Sequence, residues 1–74
     1  MKKAAKKYAV VIEKANGNYS AYVPDLPGCV AVGDTHKEVL QSIREAIAFH
    51  IEGMELEGLP VPEPSARTDY VAVA

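Results

Sequence analysis

The sequence predicts an α+β fold: a small antiparallel sheet with one helix packed on one face, in the order β-β-β-α-β. Three observations carry this. Two strand-like runs flank Asn16-Gly17, and Asn-Gly between apolar runs is the strongest short hairpin signal. Thr35 and Glu38 form a capping box that opens a long pattern with the period of a helix. Prolines and glycines punctuate the rest, and no second helical pattern is present.

Each element has its own warrant. Residues 8–13, YAVVIE, are β-branched and aromatic enough for a first strand. Asn16 and Gly17 tolerate positive φ, so a tight turn follows. The second strand is expected over residues 19–23, with Tyr8 and Tyr19, and Val10 and Ala21, facing each other across the hairpin. Pro24 has no N–H and ends that strand. Pro27-Gly28 suits the centre of a type II turn, where proline fixes φ and glycine accepts a positive φ. Residues 29–32 read as a third strand, antiparallel to the second. The helix should run from about residue 36 to about residue 57. It would bury a stripe of Val39, Leu40, Ile43, Ile47, Ile51 and Met54; Gly58 is a plausible residue just past its end, and the Glu-Gly pairs at 52–53 and 57–58 leave two candidate ends. The proline-rich run 59–66, LPVPEPSA, is expected as a stiff strap back across the sheet, and residues 69–74 as a closing strand.

A chain of 74 residues is one domain with a modest core. A single cysteine rules out an intrachain disulfide, and no Cys/His grouping has metal-ligand spacing. Self-association, as a homodimer or homotetramer, is the expected further source of stability. The net charge of −2 hides an asymmetry. Lys2, Lys3, Lys6 and Lys7 make residues 1–7 a basic N-terminal arm that could touch the phosphates of nucleic acid. In the single domain expected over residues 8–74, ten acidic side chains face only Lys14, Lys37, Arg44 and Arg67, a balance of −6. Such a body repels nucleic acid and draws basic partners. The apolar run 8–12 is shorter than the ~7–15 residues of a signal-peptide core, and nothing approaches a membrane span, so a cytoplasmic protein is expected.

Candidate chemistry is sparse. His36 is expected in solvent and His50 at the edge of the helix stripe, neither beside a nucleophile. Cys29 reads as a small hydrophobe at a strand start, with no cation near it in sequence to make a thiolate. The carboxylates lie at strand ends, in turns and on the exposed helix face, not in mid-strand where a metal-dependent nuclease would anchor them. No glycine-rich phosphate loop occurs. No catalytic residue, cofactor or metal is therefore expected. Folding alone leaves the PDLPG tip unexplained. Leu26, between two prolines, is expected to be exposed, and a rigid apolar tip loses little entropy on binding. Tyr22, Asp25, Leu26 and Pro27 are the expected partner contacts, with Gly28 setting the turn.

These residues also carry a resemblance. Tyr22, Pro24, Asp25, Pro27, Gly28 and Cys29, then Gly33, Asp34, Thr35 and Glu38, Ala46 in mid-helix, and Pro60, Pro62, Pro64 and Ser65 at the end form a pattern that resembles the HicB family of antitoxins. The match runs over about residues 8–74. The resemblance implies a truncated RNase H-like fold without nuclease activity. It implies an antitoxin of a type II toxin-antitoxin system that binds and blocks HicA, a small basic mRNA-cutting toxin, and it implies assembly as dimers or tetramers. Many relatives add a C-terminal DNA-binding segment. No such segment is read in the sequence up to Ala74, so DNA binding is not expected from that source. The rival expectation is a homo-oligomeric regulator that contacts nucleic acid through Lys2, Lys3, Lys6 and Lys7.

Overall fold

The computed structural model describes residues 6–74. Three strands precede one helix: β1 (Val11–Ala15), β2 (Asn18–Tyr22), β3 (Val30–Gly33) and α1 (His36–Leu56). The sheet is an antiparallel meander in the order β1-β2-β3, so β1 and β3 are both edges.

The two-residue Asn16-Gly17 loop sets the register. It pairs Ala15 with Asn18, and therefore Lys14 with Tyr19 and Ile12 with Ala21. This differs from the expected facing of Tyr8 with Tyr19 and Val10 with Ala21: partners in an antiparallel hairpin run in opposite directions, so with Ala15 opposite Asn18, Tyr19 falls opposite Lys14 and Ala21 opposite Ile12. Of the two loop residues, Gly17 alone takes a positive φ, of +78°.

The helix boundaries follow from local chemistry. The N–H of Glu38 donates to Thr35 Oγ1 at 3.1 Å, and the N–H of Asp34 donates to Glu38 Oε1 at 3.0 Å. The glutamate thus reaches one residue further back than the Thr35 N–H of an ideal capping box. At the other end the N–H of Leu59 donates to the carbonyl of Met54 at 2.9 Å, and that of Gly58 to Glu55 at 3.1 Å. With Gly58 at φ +72°, this is a Schellman closure.

The core lies between the sheet and α1. Ala21, Val23, Leu26, Cys29, Val39 and Ile43 are its buried members, and Tyr8, Val10, Ile12, Tyr19, Ala31, Ala46, Ile47 and Ile51 pack around them. Leu26 is therefore not an exposed tip: it is 0 % exposed, at the centre of the core. Two consecutive turns aim it there. Its N–H donates to Val23 O, and the Cys29 N–H donates to Leu26 O across Pro27-Gly28, each at 3.0 Å. Gly28 has φ +86°, as a type II turn requires. The Val23 N–H then donates to Cys29 O at 3.2 Å and closes the loop at its base. The prolines and glycine hold the backbone so that it folds inward.

The last expected element is not formed within the chain. Among the described residues, 69–74 pair with no strand, and Tyr70, Val71 and Val73 are 97 %, 80 % and 87 % exposed. The strap before them is in place. The Tyr8 hydroxyl donates to Pro62 O at 2.7 Å, and Lys6 pairs with Glu63 at 3.0 Å. Among the described residues no helix is long and apolar enough to cross a membrane.

Candidate partner-binding surface

Side chains alternate across a strand, so the helix covers only one side of each. The register places Val11, Tyr22 and Val30 in one row across the sheet, and Glu13, Ser20 and Val32 in the next. Their side chains lie on the face away from α1. Val30 and Val32 are 65 % and 67 % exposed, and Tyr22 stands exposed between β1 and β3. The small residues of this part of the chain, Cys29 and Ala31, take the inner side. The reason is the close approach of α1: a methyl on Gly33 would come within 2.6 Å of the Val39 nitrogen. Bulk is therefore pushed outward, and an apolar row stands open on the outer face.

The expected contacts divide. Tyr22 belongs to the outer face. Pro27 and Gly28 are exposed in the turn that leads into β3. Leu26 is withdrawn into the core. Asp25 is turned toward the strap: the N–H groups of Ser65 and Ala66 both donate to its Oδ2, and the Ser65 hydroxyl donates to its Oδ1, each at 2.9 Å. These bonds hold the carboxyl below its ordinary range, the Ala66 N–H contributing most and partial burial opposing it. Asp25 thus fastens two segments 40 residues apart in sequence.

Of the basic arm, Lys2 and Lys3 lie outside the described residues. Lys7 is exposed, whereas Lys6 is held by Glu63, whose hydrogen bond raises its pKa. His36 sits edge-on to Tyr19, with ring centroids 6.1 Å apart. Cys29 is buried, and burial pushes its thiol up, away from a reactive thiolate. Among the described residues no three His, Cys, Asp or Glu side chains gather as metal ligands.

Val30 and Val32 were missed in the sequence. Their signal was present: Cys29-Val30-Ala31-Val32 alternates small with large, and the small members face a helix that packs close.

Fold and surface define a small α+β domain with an apolar sheet face left open. The chain belongs to the HicB-like antitoxins of bacterial toxin-antitoxin systems, whose family pattern matches residues 8–73. That family is one of antitoxins, not of enzymes. The chain is 42% identical over 64 residues to an uncharacterised 14.9 kDa protein from the rep-hol intergenic region of Haemophilus phage HP1, covering 86% of this chain and 48% of that one. It is 46% identical over 57 residues to a UPF0150 protein of Synechocystis sp., covering 76% and 72%. It is 34% identical over 70 residues to Antitoxin HicB 1 of Photorhabdus laumondii, covering 90% and 44%. The chain thus spans about half the length of the phage protein and of the Photorhabdus antitoxin. Among solved structures it is similar to a chain of the HicA3 and HicB3 toxin-antitoxin complex, with a TM-score of 0.70 and 35% identity over 81% of this chain and 70% of that one.

Proposed function

We propose that this chain neutralises a HicA-type mRNA-cutting toxin by stoichiometric binding, through the outer face of its sheet. The observation that carries the reading is the exposed row of Tyr22, Val30 and Val32 on a body of charge −6. An apolar face on a body of net negative charge suits a small basic protein: the valines and tyrosine supply burial, and the charge speeds encounter and rejects acidic competitors. Pro27 and Gly28 border this face and complete the proposed contact, while Asp25 and Leu26 support it from behind. The likeness to a HicB3 complex supports the same partner class. A toxin that cuts mRNA acts in the cytoplasm, and the proposal puts this chain there.

The test is co-purification with a HicA-type toxin, sought first as a small basic protein encoded beside this chain, followed by Val30→Glu and Val32→Glu variants. Both positions are exposed, so the fold should be kept. A stable complex in the parent chain, weakened at least ~10-fold by either glutamate, is expected, since a buried unpaired charge opposes association. Undiminished binding by both variants sinks the assignment of this face, and no complex at all sinks the toxin reading.

The rival reading, a nucleic-acid regulator acting through Lys2, Lys3, Lys6 and Lys7, has less support because Lys6 is engaged by Glu63. It requires affinity for nucleic acid that falls steeply with salt and disappears when the four lysines become alanine.

A further inference from the structure

Two features of the chain lack a partner, and they match each other. The first is the open edge of β1, which among the described residues pairs only with β2. Beside the chain that enters this edge runs a groove of about 260 Å³ against α1. Tyr8, Val10, Leu40 and Ile47 give it an apolar lining, Arg44 adds a cation, and Lys6 at its rim is paired with Glu63. The second feature is the segment 69–74, DYVAVA, which is rich in strand-forming residues, exposed and unpaired.

The match is chemical. In an extended segment Asp69, Val71 and Val73 fall on one side. One acid followed by two valines fits a groove that combines the Arg44 cation with an apolar lining. The β3 end of the sheet offers no such fit. The depression there is lined by Asn18, Asp34, Glu38 and Gln41 along with Val32, so acids would meet Asp69.

The chain does not close this edge with its own tail. Asp25 fixes Ser65 and Ala66, and residues 66–69 share a shallow depression with residues 7–9. Beyond that point the tail stands in solvent.

We infer that residues 69–74 of a second copy add as a strand to the open edge of β1, with Val71 and Val73 in the groove and Asp69 facing Arg44. A two-fold axis makes the exchange reciprocal, so both edges close and no open filament results. The exchange uses the β1 edge and leaves the outer sheet face free. It can therefore fail while toxin binding stands, and the reverse also holds.

The full chain is measured by native mass spectrometry, alone and as a Val71→Asp/Val73→Asp variant. Both valines are exposed in the single copy, so the variant keeps its fold and an unchanged circular dichroism spectrum. The parent should have twice the mass of 8.0 kDa, and the variant that mass itself. A monomeric parent, or a variant that stays dimeric, overturns the inference. A Leu40→Cys/Val73→Cys chain separates exchange from self-closure. Oxidation should link two chains on a non-reducing gel. An internal disulfide within one chain, or none at all, overturns it.

Discussion

Leu26 shows how one residue can be placed by its neighbours' backbone and not by its own hydrophobicity. Prolines on either side suggest an exposed tip, yet the paired turns deliver the side chain into the core. A Leu26→Ala variant should lose about 2–5 kcal/mol, the cost of lost burial plus a cavity, read as a lower urea midpoint. Tyr22→Ala should leave that midpoint nearly unchanged while weakening partner binding, because Tyr22 is exposed on the outer face. Gly33 supplies a third case, for which space and not backbone freedom is the reason. An added methyl meets the Val39 nitrogen at 2.6 Å and its Cα at 3.0 Å, both backbone atoms that no rotamer change can move. Gly33→Ala should cost about 1–3 kcal/mol in the same unfolding experiment. A midpoint equal to that of the parent would show that β3 and α1 part more easily than their packing implies.

Among the elements, those specified by local chemistry were legible in the sequence. The Asn16-Gly17 hairpin, the Pro27-Gly28 turn, the Thr35 cap and the Gly58 stop each depend on a few adjacent residues, and each formed. Thr35→Ala should accordingly remove about 1 kcal/mol by orphaning the Glu38 N–H, measurable as a lower melting temperature. The hairpin register, the direction of Leu26 and the task of Asp25 were not legible. The first needs the loop length to be fixed, and the others depend on contacts with distant segments. In the candidate site Tyr22 was legible as a surface contact, whereas nothing singled out Val30 and Val32, because strand pattern alone does not say which face the helix takes. The strap illustrates the long-range case. Asp25 has a lowered native pKa, so its contribution is complete above the ordinary carboxyl value of 3.8 and is lost as pH falls through the lower native value. The strap should therefore stay docked at neutral pH and release only in strong acid. Asp25→Asn should loosen it at every pH, since an amide lacks the charge that three donors stabilise. Amide exchange at Ser65 and Ala66 reads both outcomes, and protected amides in the variant would assign the docking to the Tyr8–Pro62 and Lys6–Glu63 contacts instead.

For the whole molecule, size sets the terms. Six buried side chains are a thin core, and the radius of gyration of 14.0 Å exceeds the ~11 Å of a compact chain of this length. A single copy leaves an edge strand, an apolar groove and an apolar tail uncovered, all of which favour association. If two copies exchange tails, folding and assembly become one equilibrium, and stability must depend on protein concentration. Each tenfold rise in concentration then adds about 1.4 kcal/mol to the free energy of unfolding the pair. Spread over the unfolding entropy of two such chains, that is a rise in melting temperature of roughly 4 °C. A dilution series followed by circular dichroism should show this slope for the parent and a flat line for Val71→Asp/Val73→Asp, at a lower melting temperature throughout. A parent whose melting temperature ignores dilution would mean that the small core is sufficient by itself and that the tail serves no second copy. The same series repeated with the toxin partner present separates the two surfaces. Bound toxin should raise the melting temperature of parent and tail variant alike, because the outer sheet face takes no part in the exchange.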